Sequence, residues 1–114
     1  MSNEWLQEGE LSLKPINFDS PSSSFHCVIR DQDVEALYNP TVEGNLMSDE
    51  FTLAFLGYMT LTPTYRQLKR PSGSLLNNYG ALKNVLFWHG DVKVHLNFHV
   101  FEGLDFDFMI GHPI

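Results

Sequence analysis

A mostly β domain with one short helix, closed or sandwiched, is the class this sequence predicts. Three observations carry that reading. In Val92-Lys93-Val94-His95-Leu96-Asn97-Phe98-His99-Val100 the apolar positions 92, 94, 96, 98 and 100 share one face and the polar positions share the other, which is the period of a half-buried strand. Val85-Leu86-Phe87-Trp88 precedes it across His89-Gly90-Asp91. A two-residue loop at Gly90-Asp91 sets Phe87 opposite Val94 and Val85 opposite Leu96, a hairpin with one apolar face. The third observation is the density of β-branched and aromatic residues from Phe25 onward, punctuated by turn formers.

The elements follow in order. Residues 1–24 read as an N-terminal extension: Leu11, Leu13 and Ile16 suit an edge strand, and Ser20-Pro21-Ser22-Ser23-Ser24 reads as a joint. Phe25-His26-Cys27-Val28-Ile29-Arg30 is the first strand of the domain, Asp31-Gln32-Asp33 a turn, and Val34-Glu35-Ala36-Leu37-Tyr38 the second strand. Ser48-Asp49-Glu50 caps a helix carrying Phe51, Leu53, Ala54, Phe55 and Leu56, which Gly57 ends. Strand character returns with the hairpin at 85–100.

Bulk properties narrow the function. A chain of 114 residues with 43% hydrophobic and 18% charged residues has one small core. Its net charge of −7 argues against nucleic acid as a partner, because phosphate binding needs a basic stripe. The basic run Tyr65-Arg66-Gln67-Leu68-Lys69-Arg70 reads as a solvated strand edge. A single cysteine, Cys27, provides no disulfide framework and reads as a buried structural thiol. The acidic N-terminus has no apolar core, and no run approaches the ~18 apolar residues of a membrane span. The expectation is a cytoplasmic or nuclear chain with no membrane partner.

Common chemistries find little support. His95 and His99 have the i, i+4 spacing of a helical metal pair, yet on a strand they lie ~13 Å apart. They read as exposed strand histidines, and the expectation is no metal and no cofactor. No Gly-x-Ser-x-Gly elbow is present, and Pro71-Ser72-Gly73-Ser74 lacks the Lys-Ser or Lys-Thr of a phosphate loop, so it is a turn.

One constellation is more specific. Ala36-Leu37-Tyr38-Asn39-Pro40-Thr41-Val42-Glu43-Gly44-Asn45-Leu46-Met47 is followed, about 65 residues later, by Leu104-Asp105-Phe106-Asp107-Phe108-Met109-Ile110-Gly111-His112-Pro113-Ile114. Together they resemble the retropepsin-like aspartic proteases of plant retrotransposons. There a loop of the form Ala-Leu-x-Asp-x-Gly-Ala-Ser-x-Asn-Leu-Met ends the second strand, and a later Ile-Leu-Gly-x-Pro element packs beneath it. Ala36, Leu37, Asn45, Leu46 and Met47 match the loop's frame; Ile110, Gly111 and Pro113 match the closing element. Leu56-Gly57, Pro63-Thr64 and Gly80 fall where that family has its helix end, the next strand and the strand after the flap. The resemblance covers residues 25–114. It implies an all-β, retropepsin-like closed barrel with one short helix, and a flap-like hairpin whose tip is Pro71-Ser72-Gly73. It also implies a C-terminal helix beyond Gly-x-Pro, which this sequence, ending at Ile114, does not contain.

The departure from the family is informative. Asn39 stands at the catalytic aspartate, and Pro40-Thr41 at the residues after it. Aspartic proteolysis needs two carboxylates that share a proton, one from each lobe, and an amide neither accepts that proton usefully nor carries the charge. Thr41 also replaces the glycine that eases the turn. The resemblance with this defect implies a catalytically inactive, retroelement-derived domain that binds a protein or extended peptide. Tyr38, Asn39, Pro40, Thr41 and Val42 would line the former cleft, Asn39 and Thr41 as hydrogen-bonding groups. Family assembly implies a homodimer, with Tyr38, Pro40 and Val42 as an apolar patch and Asn39 amides meeting on the two-fold axis. A residual retropepsin-type endopeptidase is the alternative.

Overall fold

The computed structural model describes residues 23–69 and 72–112. Six strands and one helix follow in the order β1 (Ser23–Ile29), β2 (Gln32–Glu43), β3 (Leu46–Ser48), α1 (Asp49–Leu56), β4 (Asn78–His89), β5 (Val92–Phe101) and β6 (Phe108–His112). The strands close into a barrel in the order β1-β2-β6-β3-β5-β4. β6 is the pivot of that order. It runs parallel to β2 and antiparallel to β3, so the end of the chain is threaded between two segments that are close in sequence.

The β4–β5 hairpin has the pairing its sequence demands: Phe87 faces Val94 and Val85 faces Leu96 across the turn at Gly90-Asp91. Gly90 takes the left-handed backbone, at φ 62°, which this tight turn requires. The helix also forms where its signals lie. The Ser48 side chain accepts from the Phe51 amide at 3.0 Å, Asp49 and Glu50 occupy the first turn, and Gly57 ends it.

Three boundaries differ from those read in the sequence. The β1–β2 turn is Arg30-Asp31, both at positive φ (50° and 64°), so Arg30 leaves the strand and β2 starts at Gln32. Two consecutive left-handed residues are the primed turn that matches strand twist, here built without glycine. β1 also begins at Ser23, taking in two residues assigned to the extension and pairing Ser23 with Tyr38. β4 starts at Asn78, seven residues before Val85, because its ladder shifts between Leu82 and Val85. Asn84, at φ 57°, takes up the extra length, and its amide donates to Asn97 Oδ1 at 2.9 Å. Such a bulge reverses the alternation of exposed and buried side chains.

Inside the barrel Phe98 and Phe108 are wholly buried, with ring centroids 5.5 Å apart and edge to face; Phe87 and Phe51 pack on Phe108 at 5.8 and 5.5 Å. Cys27 is buried in this core, and desolvation pushes its thiol up to about 11, which keeps it an unreactive thiol. A second, smaller cluster lies outside the barrel wall: Leu46 and Phe101 are covered by Leu68 and Leu76. That outer layer corrects the reading of β5. His99 points away from the barrel, as the alternation requires, but it is fully buried because the segment between α1 and β4 lies over it. Among the described residues no helix is long and apolar enough to cross a membrane.

Candidate active site and its surroundings

β2 does not stop where the loop motif begins. It runs on to Glu43, but its ladder with β6 breaks: Tyr38 faces Ile110 and Glu43 faces His112, so five steps along β2 span two along β6. Residues 39–42 therefore arch out of the sheet. Pro40 has no amide to give to a ladder, which suits an arch and no regular strand position.

Asn39 closes the arch from inside. Its Oδ1 accepts from the Thr41 amide at 3.0 Å and from Thr41 Oγ1 at 2.6 Å, an Asx turn locked by a second donor. The residue is 2% exposed while Pro40 and Thr41 are exposed. Within the single chain Asn39 is therefore buried, with its Oδ1 turned onto Thr41. Tyr38, Pro40 and Val42 fail to make one apolar patch. Tyr38 is partly buried against the barrel core and Val42 partly buried against the outer cluster, so of the three Pro40 is the one fully exposed.

Two residues of the frame hold the arch to β6. Gly111 passes under it so closely that a Cβ there would collide with the carbonyl oxygens of Val42 and Gly44. Asn45 is buried, and its Nδ2 donates to the Asn97 carbonyl at 2.9 Å while its Oδ1 accepts from the Gly111 amide at 3.0 Å. One side chain thus ties β6 to β5 below the 39–42 arch. The Asn-Leu-Met frame marked this position in the sequence, but nothing local disclosed the two partners, which are 52 and 66 residues away.

Beside the arch lies a polar layer that sequence reading missed. Asn78 donates to the Arg66 carbonyl at 2.8 Å and to Thr64 Oγ1 at 3.0 Å, and its own Oδ1 accepts from the Gly80 amide at 2.7 Å. Thr64 Oγ1 lies 3.5 Å from His99 Nδ1. Arg66 is half-buried with its guanidinium over Gly44. Burial lowers its pKa, and Glu43 opposes that shift. Arg66 is thus no part of a solvated basic edge. Gly80, at φ 114°, lets β4 approach residue 62, with which Ala81 exchanges two backbone hydrogen bonds of 2.8 Å.

The flap-like hairpin starts from this layer. Leu76 donates to the Leu68 carbonyl at 3.0 Å and Lys69 bridges Leu75. Ser72 and Gly73 sit at the exposed tip, where Gly73 takes φ 100°; Pro71 lies outside the described residues. The hairpin's base is anchored because Leu68 and Leu76 are buried against Leu46 and Phe101.

Chemically the site offers amide and hydroxyl groups and no carboxylate between residues 37 and 42. Glu43 is exposed at the far foot of the arch, and Asp31 and Asp33 lie at the other end of β2. His95 is exposed on the face where His99 is buried. Among the described residues no group of three His, Cys, Asp or Glu side chains is placed to hold a metal ion.

No protein-family model matches this chain, and no curated protein matches it in sequence. Among solved structures, it is similar to the retroviral protease-like domain of Ddi1 from Leishmania major. The TM-score is 0.61 over 80% of this chain and 70% of that one, at 16% identity. The likeness shows a retropepsin-like fold.

Proposed function

We propose that this chain is a catalytically silent, retroelement-derived retropepsin-like domain that binds an extended segment of protein. The observation that carries the reading is Asn39. It stands at the catalytic position of the fold's loop, and its carbonyl oxygen is committed to two donors on Thr41. An amide so held neither activates water nor shares a proton with a second lobe. The structure around it supports a groove for polypeptide all the same. The hairpin at 68–76 rises from the same outer cluster on which Val42 of the arch packs, and neighbouring segments of this kind suit an extended peptide held by main-chain hydrogen bonds and read by side-chain pockets. A net charge of −7 favours protein over nucleic acid as the partner.

A random peptide library selected against the full chain tests the proposal. Bound peptides are expected to protect amides in the 37–42 arch and the 66–80 hairpin from hydrogen exchange. Protection confined to other surfaces would contradict it. Incubation with unfolded protein from pH 3 to 7 is expected to yield no cleavage, either by the native chain or by Asn39→Asp, because Thr41 still occupies the glycine position. Cleavage blocked by a statine-type inhibitor would favour a residual aspartic endopeptidase. The reading includes a homodimer, for which light scattering after gel filtration is expected to give about twice 13.1 kDa.

A further inference from the structure

On the barrel side of Tyr38, an apolar groove of about 430 Å³ opens at one mouth of the barrel. Phe25, Tyr38, Phe87, His89 and Ile110 line it, with Ser23 beside them. Its walls are almost entirely carbon, the kind of surface that is unfavourable to leave wet.

Among the described residues, the edge of β1 beside the groove has no ladder partner over most of its length: β1 pairs with β2 from Ser23 to Ile29, and on its other side Val28 pairs with Trp88. β4 ends at His89, so residues 23–27 extend past it. The chain itself arrives at this place, since 22 residues precede Ser23 and the nearest of them read Lys14-Pro15-Ile16-Asn17-Phe18-Asp19-Ser20-Pro21-Ser22.

We propose that residues 16–18 fold back in the same chain as a short strand on the free edge of β1 and seat Ile16 and Phe18 in the groove. A four-residue connection, Asp19-Ser20-Pro21-Ser22, has a length common in hairpins and the Ser-Pro order that suits a type I turn. It sets Phe18 opposite Ser23 and Ile16 opposite Phe25. Residues directly opposed in an antiparallel pair share a face, and Ser23 and Phe25 both line the groove. Phe18 and Ile16 therefore enter it, and Asn17 turns to solvent. Pro15 falls opposite His26, where its missing amide ends the pairing. The stop is needed there, because Trp88 of β4 already holds Val28. A tethered occupant also competes at a high effective concentration against any free segment.

Nuclear magnetic resonance of the labelled full chain tests this. Cross-peaks are expected from the side chains of Ile16 and Phe18 to Phe25, His89 and Leu96, with slowed amide exchange over residues 23–27. A sample mixing labelled and unlabelled chains, filtered for contacts between molecules, is expected to show none of these cross-peaks. The double variant Ile16→Asp/Phe18→Asp should lose the cross-peaks and the protection and should gain binding of the hydrophobic dye ANS. Resonances of Phe98 and Phe108 in the barrel core should stay in place. Cross-peaks found only between molecules would assign the groove to a second copy and overturn the proposal. No cross-peaks, with exchange and dye binding unchanged in the variant, would overturn it as well.

Discussion

Gly111→Ala is expected to abolish the native fold or to lower its stability by more than about 4 kcal/mol, the range reached only by severe core or strain defects. The reason is contact, not backbone freedom. A single methyl at position 111 would overlap two carbonyl oxygens, those of Val42 and Gly44. Neither can swing aside as a side-chain tip would. The Gly44 amide is itself bound to the His112 carbonyl at 2.9 Å, and the Gly111 amide is held at 3.0 Å by Asn45. Moving β6 away would therefore break the buried Asn45 bridge, leaving polar groups without partners at about 1–3 kcal/mol each. Urea denaturation followed by circular dichroism checks the prediction. A midpoint within experimental error of the native one would mean that β6 does not pass under the arch as described. Gly73→Ala is the control for a generic glycine effect: that residue has open space around it, though its φ of 100° still carries strain.

How much was legible in the sequence depended on how local each cause was. The hairpin from Val85 to Val100 could be read in register because its loop length and its period-two pattern both act within a few residues. The helix could be read because Ser48 and Gly57 act on its own termini. The closing Ile110-Gly111 element was legible as a resemblance, and the barrel pairs Ile110 with Tyr38. The shift in β4 was not legible, since Lys83 and Asn84 look like two more strand residues until a bulge turns Asn84 to positive φ. Nor was the state of Asn39. Its burial comes from the arch of β2 over β6, and nothing in residues 36–47 discloses that five of its steps must match two of a strand 70 residues away.

His99 shows the same limit with a consequence for function. Alternation places it on the outer face of β5, where the sequence predicts solvent. Among the described residues, the return of 60–69 and 72–76 across that face buries it. Leu68 and Leu76 cap the neighbouring Phe101, while Thr64 and Arg66 close over the imidazole. An outer layer of this kind has no periodic signature, because it is made by an irregular segment held through single bridges at 62–81 and 69–75.

That burial predicts a loss of stability in acid. Desolvation, and after it the charge on Arg66, push the His99 pKa down to about 3 from 6.5. The unfolded chain therefore takes up this proton first as pH falls. The contribution to stability is complete above pH 6.5 and is lost between 6.5 and 3, at up to about 1.4 kcal/mol per pH unit, or roughly 3 kcal/mol by pH 4. Urea midpoints at pH 7.5, 6, 5 and 4 are expected to fall along that slope. His99→Gln, which has no proton to gain, should start less stable at pH 7.5 but fall less steeply. The other titratable groups are common to both proteins, so the difference between the two curves isolates position 99. Parallel curves would show that His99 is not buried as a neutral ring. The slope also bears on the rival enzyme. Aspartic endopeptidases that share a proton between two acids work in acid, and it is there that protonation of His99 would draw apart the β5 face and the segment bearing Arg66, beside the arch where Asn39 stands.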